Sequence, residues 1–262
     1  MGSSHAIRLG ISSFTYSWAV AQPAGTTGHL GPLDLLQLAM RFGVTVVQFG
    51  DNMPLDRQQV PLAKRGAIIL MLDPAAAAAG VVAMRDDLHY VVCHPCHPAM
   101  FGEQPTDEAR RNLFGGVAAV QDIVIALMQG SEAAFAQAEE LCRRMFAPVA
   151  TAHRITVEQM AILEPAMAEV VAASAAVLVG EALEEAVRRG VPREAARAFM
   201  LGHVQVPLAI VLAATDAPFS DAAEIAAAYG QETIYRPDWR RVFDAENVHE
   251  AIHRMLHPEE PS

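Results

Sequence analysis

Up to about residue 154, short apolar runs alternate with helical patterns; beyond it, every periodic segment has the 3.6-residue spacing of a helix. Residues 7–14 (IRLGISSF) read as a strand. In 32–42, Leu35, Leu38, Ala39 and Phe42 share one helical face and Gly43 is the stop. The β-branched run 44–49 is a buried strand. These three form a βαβ unit, whose strands should be parallel. A polar stretch, 56–65, separates it from further strands at 67–72, 88–93, 123–128 and, briefly, 147–149. Two prolines in 94–98 (HPCHP) predict a loop. Thr106 is placed to cap a short helix over 107–113. Gly130 and Ser131 form a turn and N-cap ahead of a helix over 132–146.

Thr156 and Gln159 have the spacing of a capping box. The helix they start runs to about Arg189, where Gly190 and Pro192 end it, and Pro165 inside it predicts a kink. Residues 170–180 are apolar on nearly every side, the pattern of a helix buried in a core or an oligomer interface. Further helices are expected over 193–214, over 221–229 behind Ser220, and over 245–256. The fold class is α/β followed by all-α: a partial Rossmann-like sheet with an N-terminal βαβ fragment, then a helical C-terminal domain. The expected divisions are 1–57, 58–152 and 153–258.

Composition narrows the function. The formal net charge of −11 offers no basic face to displace counterions from nucleic acid, and it disfavours anionic membrane surfaces. The apolar stretch 66–84 is interrupted by Asp73, Pro74 and Gly80, so no membrane span is expected, and the N-terminus has no signal-peptide pattern. Three cysteines, Cys93, Cys96 and Cys142, make no disulfide framework and suit a reducing cytoplasm. Lys64 is the single lysine.

Two resemblances follow. Residues 7–55, through LGISSFTYSW and GVTVVQFGDNMPL, resemble the opening βαβ unit of sugar-isomerase-like TIM barrels. Such a barrel needs eight βα units, so the fragment cannot assemble that active site. Residues from about 60 to 256 resemble D-apionate oxidoisomerases and related NAD-dependent oxidoreductases with a phosphogluconate-dehydrogenase-like C-terminal domain. The stretches that carry it are MLDPAAAAAG, HPCHPAMF, QDIVIALMQGSE, APVATAHRITVEQMAILEPAMAE, EALEEAVRRGVPREAARAFMLGH and FSDAAEIA. That resemblance implies NAD as cofactor and a small sugar acid as substrate; the apolar run 170–180, too rich in small apolar residues to face water, predicts a homodimer built through the C-terminal helices. Such an enzyme should open with a strand, GxGxxG and a helix. Residues 1–66 contain no GxGxxG; Gly25, Gly28 and Gly31 follow no strand, and the acidic residue that would grip the ribose has no clear counterpart, although Asp51 ends the second strand. The chain reads as a fusion near residue 56, and weak or absent NAD binding is expected.

The resemblance turns the HPCHP loop toward nicotinamide and substrate, with His94 and His97 as catalytic candidates and Cys96 as a substrate contact. It places Asp73 and Pro74 toward the cofactor. A structural loop is the plainer alternative. Cys93, His94, Cys96 and His97 are also soft metal ligands, but adjacent ligands beside prolines rarely converge, and no metal is assigned. His153, Glu158 and Glu164 are further catalytic candidates and Arg154 an anion contact; a solvated helix start with acids favouring the dipole explains the same residues. The related hydroxyacid dehydrogenases often use a lysine from the first helix of their second domain, a place Lys64 does not occupy. His203 is either a substrate contact or a satisfied buried histidine. His249, His253 and His257 share a helical face, read as surface. The other readings are a non-catalytic helical dimerisation module and, more weakly, a sugar isomerase.

Overall fold

The computed structural model describes residues 65–257, together with Gly10–Ser12, Val46–Gln48, Gln37 and Arg41. Lys64, Asp51 and the glycines Gly25, Gly28 and Gly31 lie outside the described residues.

Strands β1 (Gly10–Ser12) and β2 (Val46–Gln48) pair in parallel, as a βαβ unit requires. Of the helix expected between them, Gln37 and Arg41 are described, and both are helical. The pair makes a two-stranded sheet of its own and adds no strand to the larger one. That larger sheet has the order β3 (Ile68–Met71), β4 (His89–Pro95), β5 (Gln121–Gln129), β6 (Val149–Arg154). β3 runs parallel to β4, β5 is antiparallel to β4, and β6 is parallel to β5.

Alternation along the strands builds a core on each face. Val91, Cys93, Ile123 and Ile125 pack against Phe135, Ala138 and Cys142 of helix α3 (Glu132–Met145). Val92 and Ala126 point the other way, against Ala77 of the short helix α1 (Ala75–Ala78) and Met160. Helix α2 (Asp107–Arg111) lies in the β4–β5 connection, with Thr106 Oγ1 accepting from Ala109 N–H as its cap. At the tight turn between β5 and α3, Gly130 has φ +138°, and a Cβ there would meet the His89 ring at 2.5 Å.

Two sequence expectations about the larger sheet are corrected. The first concerns HPCHP, whose first two residues continue β4 instead of opening a loop. Cys96 N–H bonds to Asp122 O, so the backbone nitrogen of Pro95 points away from β5. On that side β3 has already ended, with Met71 opposite Val92, and the missing N–H costs no ladder bond. The second concerns the last strand, which is longer and later than 147–149. It extends to Arg154 because Asp122 to Ile125 offer it a parallel partner, and His153 and Arg154 therefore stand on a strand.

The capping box is present: Gln159 N–H donates to Thr156 Oγ1, and Thr156 N–H to Gln159 Oε1. It opens α4 (Val157–Ala161). In place of a simple kink at Pro165, the chain takes a wider π-helical course over Ile162–Ala173, which absorbs the residue that has no N–H to donate. Helix α5 (Ser174–Arg188) continues it. Then come α6 (Arg193–Val211), α7 (Asp221–Ile234, five residues longer than expected), a 3₁₀ turn (Trp239–Phe243) and α8 (Ala245–Leu256).

The chain divides into two compact units, one of residues 1–98 and 104–160, the other of 99–103 and 161–262. In the helical unit, the bidentate Arg193–Glu184 pair joins α6 to α5. Val248 and Ile252 of α8 are buried, whereas α5 and α7 bury no residue. The 32-residue helical stretch Val157–Arg188 contains an 18-residue window of mean hydropathy 1.8 and is long and apolar enough to cross a membrane by length and composition, a feature the sequence reading did not single out.

Candidate active site

The β4–β5–β6 register brings the candidates together. His94 is opposite Val124, and Val124 is opposite His153, so the two histidines share one row on one face of the sheet. Strands lie ~4.8 Å apart, which puts their backbones about 10 Å from each other. The row stands at the carboxyl ends of β4 and β6, where an open α/β sheet takes its ligand.

Each imidazole is held by an acceptor. His94 Nδ1 lies 2.9 Å from Leu72 O, just past the end of β3. His97 Nδ1 lies 3.0 Å from Phe114 O. His153 Nε2 lies 2.8 Å from Asp122 Oδ2. The His94 and His97 rings stand edge to face, 6.4 Å apart, and His97 also meets the Phe114 ring at 5.9 Å. His97 has φ +59°, a left-handed conformation that histidine adopts more readily than most residues and that concentrates at functional sites.

Cys96 is exposed beside this group. Partial burial, and then the Asp122 charge, push its thiol above the ordinary range, so it is poised as a weak donor and not as a thiolate nucleophile. Cys93 is buried against Cys142; the neighbouring thiol and desolvation both raise it, which fits a packing role. Arg154 faces the other side of the sheet. There it makes a bidentate pair with Glu132 at 2.6 and 2.7 Å and sits 4.2 Å over the Phe135 ring. Glu158 is exposed at the start of α4, and the Thr156 hydroxyl lowers its carboxyl below the usual range. Glu164 and His203 belong to the helical unit. There His203 stacks on Phe199 at 3.7 Å, with Nδ1 2.9 Å from Phe199 O. His249 and His253 lie on α8 and His257 caps it; the last two rings are 4.6 Å apart. Among the described residues, no three His, Cys, Asp or Glu side chains gather as a metal site.

Sequence reasoning missed Asp122. Its carboxylate takes Thr151 N–H at 3.0 Å as well as His153, and its carbonyl takes Cys96 N–H at 2.9 Å. An aspartate opening an apolar strand carries no signal of its own; only the register reveals it. The acceptors on Leu72 and Phe114 are backbone groups and leave no trace in residue identity.

A dinucleotide pyrophosphate is cradled by free N–H groups at a glycine turn before a helix; at the helix starts that follow strands β3, β5 and β6, part of that N–H set is already taken. At the start of α1, Asp73 Oδ1 already accepts Ala75 N–H at 2.7 Å, and Pro74 has no N–H. At α3, Ser131 Oγ takes Ala134 N–H, and Glu132 adds a like charge. At α4, the capping box takes Thr156 N–H and Gln159 N–H.

Residues 102–256 match the family described as phosphogluconate dehydrogenase (decarboxylating) C-term. Over 192 residues the chain is 45% identical to a D-apionate oxidoisomerase of Rhizobium rhizogenes strain K84, covering 73% of this chain and 70% of the relative. It is 44% identical over 198 residues to a D-apionate oxidoisomerase of Cupriavidus necator, covering 76% and 72%. A crystal structure of a semialdehyde dehydrogenase NAD-binding protein from Cupriavidus necator, in complex with calcium and NAD, superposes with a TM-score of 0.76 at 37% identity, over 86% of this chain and 87% of that one.

Proposed function

The chain belongs to the D-apionate oxidoisomerase family and carries its phosphogluconate-dehydrogenase-type C-terminal domain, and from that premise we propose that it is an NAD-linked oxidoreductase-type protein acting on a small sugar acid, impaired in nucleotide binding. One observation carries the reading: His94 and His153 share a row at the carboxyl edge of the sheet, with His97 beside His94. A small polyhydroxy acid is of the right size to be spanned by such a row. A carbonyl can only accept, so Leu72 and Phe114 fix the proton of His94 and His97 on Nδ1 and direct the basic character of each ring to Nε2. These rings position the substrate and, with His153, take the proton of its hydroxyl. Glu158, whose carboxyl the Thr156 hydroxyl lowers, supports the same site as a fixed negative charge; Glu164 and His203 remain candidates on the helical unit. Cys96 contributes a weak thiol donor, and Asp73 and Pro74 border the site past β3. Arg154, committed to Glu132, is the candidate least ready to bind an anion.

Impairment rests on the missing GxGxxG in residues 1–66. The experiment is titration of the chain with NADH by calorimetry, with and without D-apionate, followed by a turnover assay. Weak or absent NADH binding with little turnover is expected. Saturable binding in the low micromolar range would overturn the impairment. If D-apionate also fails to bind, the second reading, a non-catalytic helical dimerisation module, takes its place.

The partner we propose is a second copy of the chain. Val177, Phe199, Leu201 and Val206, on α5 and α6, are each 59–66% exposed. Within Val157–Arg188 the longest stretch free of charged residues is 170–180, which fits a helix interface in water better than a bilayer crossing. An isologous helix interface satisfies these faces in water, and the cytoplasm is the matching compartment for three free cysteines.

A further inference from the structure

We propose that Asp122 is the positioning residue of the site: it locks His153 in the Nε2–H tautomer, so that the histidine presents an unprotonated Nδ1 as the proton acceptor. The functional role rests on the oxidoreductase reading above; the tautomer itself does not. The argument starts from donor and acceptor inventory. A carboxylate has no proton to give, so at 2.8 Å the hydrogen between Asp122 Oδ2 and His153 Nε2 belongs to the imidazole. In the neutral ring the other nitrogen is then bare. Asp122 is itself held in place at two further points. Its Oδ1 accepts Thr151 N–H at 3.0 Å from β6, and its carbonyl accepts Cys96 N–H at 2.9 Å from the end of β4. One residue therefore ties together the two strands that carry His94 and His153.

The arrangement is opposite in sense to its neighbours. His94 and His97 donate through Nδ1 to backbone carbonyls and present Nε2, whereas His153 donates through Nε2 and presents Nδ1. Main-chain acceptors cannot be altered by substitution of a side chain. The His153 acceptor can, which makes it the point at which the site's protonation pattern is open to test.

The experiment is a long-range ¹H–¹⁵N correlation spectrum of the full chain above pH 8, where imidazoles are neutral, with His153 assigned by its loss in His153→Gln. The expected result is Nε2–H for His153 and Nδ1–H for His94 and His97. A wild-type His153 in the Nδ1–H form, or in rapid exchange between the two, overturns the inference whatever the variants do. Asp122→Asn then separates positioning from mere structure. The amide oxygen still accepts Thr151 N–H, but its NH₂ now faces the ring, so Nε2 becomes the acceptor and the proton moves to Nδ1. A folded Asp122→Asn chain that keeps Nε2–H counts against us. Addition of D-apionate is the last arm. Perturbation of the His153 signals in the wild type, reduced at least tenfold in Asp122→Asn at equal ligand, supports the positioning role. Equal perturbation in both overturns that role and leaves the substrate reading intact. Correct tautomers with no response to D-apionate uphold the lock on His153 and remove the substrate reading.

Discussion

The α/β unit and the helical unit are both rich in apolar residues, yet they dispose of them differently. In the first, Leu88, Tyr90, Val91, Val92, Ile123 and Ile125 are all at most 1% exposed. The sheet is covered on one face by α3 and on the other by α1 and Met160, and each strand delivers alternate residues to the two cores. In the second, α5 and α7 bury nothing, and Val177 and Ile225 are 60% and 73% exposed. A sheet buries residues on two faces within one chain, while a helix stripe needs another stripe laid against it. The α/β unit thus closes its own core, and the helical unit keeps exposed apolar faces, those on which we propose that a second copy docks.

Three experiments bear on that contrast, and the largest effect belongs to the closed core. Ile125→Ala removes a side chain packed between β5 and α3 and is expected to lower unfolding stability by roughly 2–5 kcal/mol, read by urea denaturation. A loss below ~1 kcal/mol would mean the core is looser than the packing indicates.

Next comes the open face. Sedimentation of the wild-type chain at micromolar concentration is expected to give a dimer, and Val177→Arg a monomer with the far-ultraviolet spectrum retained. Val177→Ala sharpens the point. In a chain that stays monomeric, a 60%-exposed valine should change stability by no more than ~0.5 kcal/mol, and its melting temperature should not depend on concentration. A monomeric wild type removes the contrast's explanation.

The smallest effects lie at the α4 start. Thr156→Ala breaks the capping box and should cost about 1 kcal/mol. It also frees Glu158, whose carboxyl the Thr156 hydroxyl lowers from its usual 4.5. A carboxyl lowered by folding stabilises the native state above its unfolded value, and that contribution fades as pH falls through the folded value. Glu158 is exposed, so the effect is slight: stability measured from pH 6 down to pH 3 should fall a little less steeply in Glu158→Gln than in wild type. An equal slope would show that the Thr156 contact is not maintained in solution.

Much of the architecture was legible locally. Period-2 and period-3.6 patterns located most strands and the longer helices of 65–257, Thr106, Ser131 and Ser220 marked helix starts, and Thr156 with Gln159 announced a reciprocal cap that is present. Each depends on residues within a turn of one another, and so on chemistry a linear pattern contains.

What the tertiary structure alone decided is pairing across distance. Pro95 joins β4 because β3 stops at Met71, a fact of another strand. His153 sits on β6 and not at a helix start because Asp122 to Ile125 lie beside it. Arg154 turns away from the site because Glu132 and the Phe135 ring wait on the opposite face. Asp122 acquires its place through Thr151, His153 and Cys96, which approach it from two other strands. Sequence by itself determined which residues had the chemistry for a site; the register of β4, β5 and β6 decided which of them meet, since hydrogen bonds between strands are indifferent to how far apart their residues lie in the chain.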